Sequence, residues 1–241
     1  LLAAAGLLWI YALHGGHFKA WRVNYAHALA QLGSAWPIIM SGTFVLVNLS
    51  IDKVLLRHLA NPQELGLYSA ASTLVAAWFF VPVAIGGSIA PRLTKLHAED
   101  EPAYSRLKRD AYKYFGLGSA IIALAIYFWA ENIVSLLYGQ AYSAASNVLT
   151  LNIWAIVFIS IVSLRGRLLI IENKQVNTAW LVFMGMASNV LLNLWLIPVY
   201  GAVGAACSFS ISWGLNAFFF PLLFRATRRH GLMAAGLATR L

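Results

Sequence analysis

The chain alternates long apolar runs with short polar turns. The stretch from Trp36 to Leu93 shows the pattern in full, with two apolar segments around a turn at Asn61-Pro62. Each run is about twenty residues long, the length that matches the hydrocarbon thickness of a bilayer, and so reads as a membrane-spanning helix. Six spans are predicted, over about 34–59, 65–90, 114–137, 147–164, 178–198 and 202–224. Residues 1–13 read as the truncated end of a preceding transmembrane helix, broken by His14-Gly15-Gly16-His17. In residues 14–33, Phe18, Trp21, Tyr25, Ala28, Leu29 and Leu32 recur at helical spacing away from Lys19, Arg22 and Gln31, which predicts an amphipathic helix at the membrane interface. Pro82 and Gly86-Gly87 predict a kink in the second half of the second span. The polar segment from Arg92 to Lys113 is expected to form a solvated charged loop, and residues 225–241 a basic cytoplasmic tail.

Composition agrees with this pattern. Hydrophobic types make up 61% of the chain and charged residues 10%, with a mean hydropathy of +0.73, which places it among polytopic membrane proteins rather than soluble domains. The net charge of +9 does not indicate nucleic acid, because the basic residues sit in short connections between spans. If those connections alternate sides, Lys19, Arg22, the Arg92 to Lys113 group, the Arg165 to Lys174 group and the C-terminal arginines share one face. The positive-inside bias makes that face cytoplasmic, together with the C-terminus. Cys207 is the single cysteine, so no disulfide framework or cysteine metal site is available. The six histidines lack ligand spacing, and no nucleophile or phosphate-loop motif is present.

Candidate chemistry lies inside the spans. Ser34, Ser41, Asn48 and Asp52 follow one another at steps of seven, seven and four, which keeps them on one stripe of a helix; Thr43, Ser50 and Arg57 form a second. Such stripes face other helices or a watery cavity, and Ser, Thr and Asn also serve simply as interhelical glue. Asp52 is different: an ionisable group within a span is costly enough to mark function by default. Lys53, Arg57 and Glu131 are the other charges near the membrane outside the basic connections. They could draw an anionic substrate, or form Asp52–Arg57 or Glu131–Lys53 ion pairs that fix packing. Asn189 and Asn193 lie one helical turn apart in the fifth span, where they either pack or line a polar cavity able to bind sugar hydroxyls. An integral-membrane polymerase or glycosyl transferase is a rival class, but the connections on the outer side are short and hold no cluster of acid and base residues.

Four stretches in order, NLSIDKVLLRHLANPQELGLYSAASTL, VPVAIGGSIAPRLTKL, ENIVSLLYGQAYSAASNVLTLNIWAIVF and LIPVYGAVGAACSFSIS, resemble the second half of a polysaccharide-export flippase. The branch is Wzx-like, within the superfamily that also holds the MATE-like multidrug antiporters and the peptidoglycan lipid flippase, and the resemblance runs from about Gln31 to Arg225. It implies an all-α integral membrane fold: the six-helix C-terminal lobe of a two-lobed, MATE-like alternating-access transporter, plus the remnant of a preceding helix. The implied substrate is a lipid-linked oligosaccharide on undecaprenyl diphosphate, moved across a bacterial cytoplasmic membrane for O-antigen, capsule or exopolysaccharide assembly. Implied partners are the N-terminal lobe of the same protein, membrane lipids and other glycan-assembly proteins, with no nucleic acid. No cofactor is implied beyond H⁺ or Na⁺ as a coupling ion, and no enzymatic activity. Cavity positions carried over are Asn48, Asp52, Lys53 and Arg57, to which the residue pattern adds Ser41, Glu131, Asn189 and Asn193. The alternative within the same fold is an organic-cation antiporter.

Overall fold

The computed structural model describes residues 25–236 together with Trp9, Tyr11 and Leu13, and among these it is helical apart from short turns, with no strand. The expected helix remnant at 1–13 and most of the interfacial helix at 14–33 lie outside the described residues, as do residues 237–241. The chain divides into residues 1–36 and 37–241. In the first unit the described residues from Tyr25 onward are helical, with Tyr25, Leu29, Leu32 and Trp36 exposed.

The elements are α1 (Tyr25–Leu59), α2 (Pro62–Ala77), α3 (Phe80–Glu99), α4 (Glu101–Tyr138), a 3₁₀ turn (Gln140–Tyr142), α5 (Ala145–Asn152), α6 (Ala155–Ile171), α7 (Gln175–Gly214), a π-helical turn (Leu215–Phe219), α8 (Phe220–Leu223) and α9 (Arg225–Ala234). Five stretches are long and apolar enough to cross a membrane: Ala35–Leu59, Pro62–Glu99, Glu101–Tyr138, Ala145–Ile171 and Gln175–Leu223. The last is folded back on itself. Gly201, at φ 54° and ψ −130°, leaves the helical region, and two pairs symmetric about it, Leu196 with Gly204 and Gly185 with Asn216, come into contact. A positive φ suits glycine, and the Glu64 carboxylate accepts the Ala202 N–H at 2.7 Å, capping the returning arm. The expected spans at 178–198 and 202–224 fall on the two arms of this hairpin.

Large apolar side chains point outward along the bundle, among them Leu46, Phe80, Ile121, Phe128, Leu136, Leu191, Trp195 and Val199. Water would not tolerate that surface; hydrocarbon does. The chain is an all-α, multi-pass membrane protein. Its interior holds two main apolar clusters, one around Leu56, Tyr68, Val75, Val134, Leu149 and Ile197, the other around Leu93, Tyr104, Leu164, Leu168, Phe209 and Trp213.

The expected kink is present: the helix of the second span breaks at Trp78-Phe79, just inside the second half of 65–90, ahead of Pro82 and not at the glycines. Pro82 has no N–H for the Trp78 carbonyl four residues back, and Val81 N takes that carbonyl at 3.1 Å in a tighter turn. The segment 92–113 is not a loop. Helix α3 runs to Glu99 and α4 begins at Glu101, with only Asp100 between, whose carboxylate accepts the Ala103 N–H at 2.9 Å as an N-cap ahead of Pro102. Residues 225–234 of the basic tail form α9, which is amphipathic and buries Thr227, His230, Gly231 and Met233.

Candidate functional site

Asp52 lies near the end of α1, 1% exposed, and its carboxylate is the focus of a polar cluster between three helices. Oδ2 accepts the Tyr68 hydroxyl of α2 at 2.8 Å. Oδ1 accepts both Asn189 Nδ2 at 2.8 Å and Asn193 Nδ2 at 2.6 Å, from the first arm of α7. The two asparagines stand four residues apart, so both amides project from one face, and Asn193 Nδ2 also donates to Asn189 Oδ1 at 3.1 Å. Asn48, one turn before Asp52, is 1% exposed, and its carbonyl accepts Asn189 Nδ2 at 3.5 Å.

Two features decide what this arrangement can do. Among the described residues no cationic side chain pairs with Asp52; its donors are all neutral. In addition, the side-chain oxygens of Asn48, Asn193 and nearby Asn152 are buried without a partner, although a buried acceptor is normally satisfied. A carboxylate with neutral partners and unfilled amide oxygens nearby supplies oxygen groups of the kind that a proton or a small hard cation can use.

Lys53, next in sequence, makes no ion pair with Asp52 among the described residues. It lines a cavity of about 110 Å³ with Leu49, Tyr68, Ser72, Phe79 and Asn152 among its walls. Of the sequence candidates, the structure thus gathers Asn48, Asp52, Asn189 and Asn193, with Lys53 beside them. Ser41 spends its hydroxyl on the Pro37 carbonyl of its own helix at 2.6 Å. Arg57 and Glu131 are exposed, and neither the Asp52–Arg57 nor the Glu131–Lys53 ion pair forms among the described residues.

Sequence reasoning did not count Tyr68 and Asn152 among the site candidates. It also read Arg165 as a charge in a connecting segment. Arg165 is 2% exposed inside α6, donating to the carbonyls of Asn216 at 2.6 Å and Ala217 at 3.3 Å and to Asn216 Oδ1 at 2.6 Å. Those carbonyls are available because the chain there is a π-turn and Pro221 carries no N–H for Ala217 four residues back. Pro221, following a span interrupted at Asn216, was the available signal.

A second charged cluster lies at the turn between α6 and α7, where Asn173 adopts φ 56° and closes α6 with the Lys174 N–H on the Leu169 carbonyl at 2.6 Å. Glu172 there accepts the Tyr104 hydroxyl at 3.0 Å and Lys108 Nζ at 3.0 Å on Oε1, and Lys174 Nζ at 2.8 Å and His230 Nε2 at 3.1 Å on Oε2. Burial pushes the Glu172 carboxyl up, but the His230 hydrogen bond and the Lys174 and Lys108 charges outweigh it and hold the group well below the usual carboxylate range. Burial pushes His230 down, and a neutral ring fits its partners, with Nε2–H donating to Glu172 and Nδ1 accepting the Tyr112 hydroxyl at 3.1 Å.

Comparison with known proteins finds two distant relatives. Over 181 residues, 73% of this chain and 45% of the relative, it is 24% identical to "Capsular polysaccharide biosynthesis protein CapF" of Staphylococcus aureus. Over 181 residues, 75% of this chain and 45% of the relative, it is also 24% identical to the "Putative O-antigen transporter" of Shigella dysenteriae. The match thus spans about half the length of the curated relatives. No family model and no solved structure matches the chain. The chain is similar, then, to proteins named for polysaccharide biosynthesis and transport.

Proposed function

We propose that this chain is one lobe of a flippase that carries a lipid-linked oligosaccharide, on a diphosphate carrier such as undecaprenyl diphosphate, across a bacterial cytoplasmic membrane by alternating access. The observation that carries the reading is the Asp52 cluster: a buried carboxylate with only neutral donors, within a membrane-spanning bundle. The name of one relative, a putative O-antigen transporter, supports transport of a glycan, and the other places its protein in capsular polysaccharide biosynthesis. Moving a polar headgroup through hydrocarbon needs a sheltered, polar route and a source of free energy. In this reading Asp52 supplies the second by binding H⁺ or Na⁺ in exchange, while Lys53, in the adjacent cavity, favours an anionic headgroup. The remaining half of the transporter comes from the part of the protein that the relatives have and this chain does not cover. The basic face, with the C-terminus, is cytoplasmic.

The test uses the full-length protein in its own cell. Deleting the gene should abolish surface polysaccharide while the lipid-linked precursor accumulates facing the cytoplasm. Normal polysaccharide with raised sensitivity to cationic dyes would instead identify an organic-cation antiporter. Restoring the gene as Asp52→Asn then tests the coupling role: transport should lose its dependence on pH or Na⁺, and an unchanged dependence removes Asp52 from that role.

A further inference from the structure

The basic end of the bundle holds a second cavity, far in sequence from Asp52 and built quite differently. It measures about 240 Å³ and is walled by His97 at the end of α3, Glu101, Tyr104 and Lys108 on α4, Glu172 and Lys174 at the α6–α7 turn, and Ala226, Arg229 and His230 on α9. Three permanent cations, Lys108, Lys174 and Arg229, face two carboxylates. Each carboxylate is already engaged. Glu101 lies 3.6 Å from His97 Nδ1, and both oxygens of Glu172 take two donors apiece.

We propose that this cavity is an anion site for a phosphate or diphosphate group. A carboxylate oxygen has two lone pairs, so Glu172 has no acceptor capacity left; its role is to fix Lys108 and Lys174 on opposite sides of one rigid anchor. An ammonium carries three N–H bonds and each lysine spends one on Glu172, which leaves further donors on side chains that wall the cavity. Lys108, with its side chain 6% exposed, is held in addition over the Tyr104 ring at 4.7 Å from its centroid. Lys174, with its side chain 39% exposed, and Arg229 stand in the same wall, and a guanidinium is the group whose planar fork matches phosphate oxygens. Arg225 and Arg228, exposed on the same short helix, extend the positive field outward.

The chemistry shared by candidate ligands is a phosphate oxygen cluster, whether on a lipid headgroup or free in solution. Nothing in this assignment depends on the role proposed for Asp52. The test takes purified full-length protein and two probes: inorganic diphosphate in detergent solution, and nanodiscs of phosphatidylglycerol against nanodiscs of phosphatidylcholine. Each is read by stabilisation against heat and by direct binding. Lys174→Gln and Arg229→Gln should each weaken binding by about tenfold, the worth of one charge-assisted hydrogen bond. Lys95→Gln, which removes an exposed lysine paired with Glu99 at 3.8 Å, should change nothing. Weakening seen with both probes assigns the site to phosphate in general; weakening confined to phosphatidylglycerol assigns it to a lipid headgroup. Binding to neither probe, or binding that survives both substitutions, overturns the proposal.

Discussion

Asp52 is a buried carboxylate and Glu172 one whose side chain is 9% exposed, and each bridges three elements, yet their partners differ in charge. Asp52 meets one hydroxyl and two amides. Glu172 meets two ammonium groups, an imidazole and a phenol. A buried anion whose partners are all neutral keeps its charge uncompensated and is open to a mobile cation. A buried anion matched by two fixed cations is closed, and its energy goes into holding the helices that carry them. On the proposed reading the same functional group serves exchange in one place and fastening in the other, and the difference is set by whether lysine or asparagine was placed across from it.

The amide substitution at each position separates the two roles most sharply. Asp52→Asn removes the charge but keeps an oxygen for Tyr68 or an asparagine amide, so the fold should survive while ion-dependent transport is lost. Transport assays in vesicles and thermal unfolding of the same preparation check both halves. Glu172→Gln should do the reverse. It leaves Lys108 buried beside a neutral group, which costs about 3 kcal/mol, or on the order of 10 °C in the unfolding midpoint. Adding Lys108→Met should return most of that loss, because the stranded charge goes with it. If Glu172→Gln is as stable as the parent, the fastening role is wrong.

Part of this contrast was legible in the residues and part was not. The steps joining Asn48 to Asp52, and Asn189 to Asn193, follow from helical periodicity, and both pairs stand out within apolar runs. That the two pairs meet is a tertiary fact, made across a sequence separation of 137 residues between Asp52 and Asn189. Tyr68 gave no warning because one tyrosine in an apolar helix carries the same pattern whether its hydroxyl reaches an acid or an interface. Arg165 was misread, and Glu172 passed over, for a related reason. A charge at the end of a span looks the same in sequence whether it is solvated or folded under the next helix, and only the continuation of α6 to Ile171 decides it. The long charged segment after Pro91 was read as a loop because charge was counted without its spacing; Asp100, Glu101 and Pro102 form a helix start.

Acid should separate the two carboxylates next. With the Glu172 carboxyl held below its ordinary value of 4.5, its contribution to stability is intact above that value. It is lost as the pH falls toward the folded-state value, because the unfolded chain then binds a proton that the folded one refuses. The unfolding midpoint should therefore drop between about pH 5 and pH 3 in the parent, and drop less in Glu172→Gln, whose amide has no proton to gain. Equal acid limbs in the two proteins would move the source of the effect elsewhere.

The smallest effect belongs to Tyr68. Tyr68→Phe removes one of the three donors to Asp52 and leaves the ring, which is 2% exposed, packed among Leu56, Val75 and Ile197. The loss in stability should be about 1 kcal/mol, since a hydrogen bond is removed without opening a cavity. Its effect on exchange should run the other way. Freed of the hydroxyl, Oδ2 offers a lone pair that a bound cation can use, so half-maximal transport should need a lower ion concentration, by a factor of up to about ten. A lowered requirement in a slightly less stable protein is the signature of a donor that competes with the ion. An unchanged requirement would mean that Tyr68 only packs, and that the ion, if Asp52 binds one, sits on the asparagine side of the carboxylate.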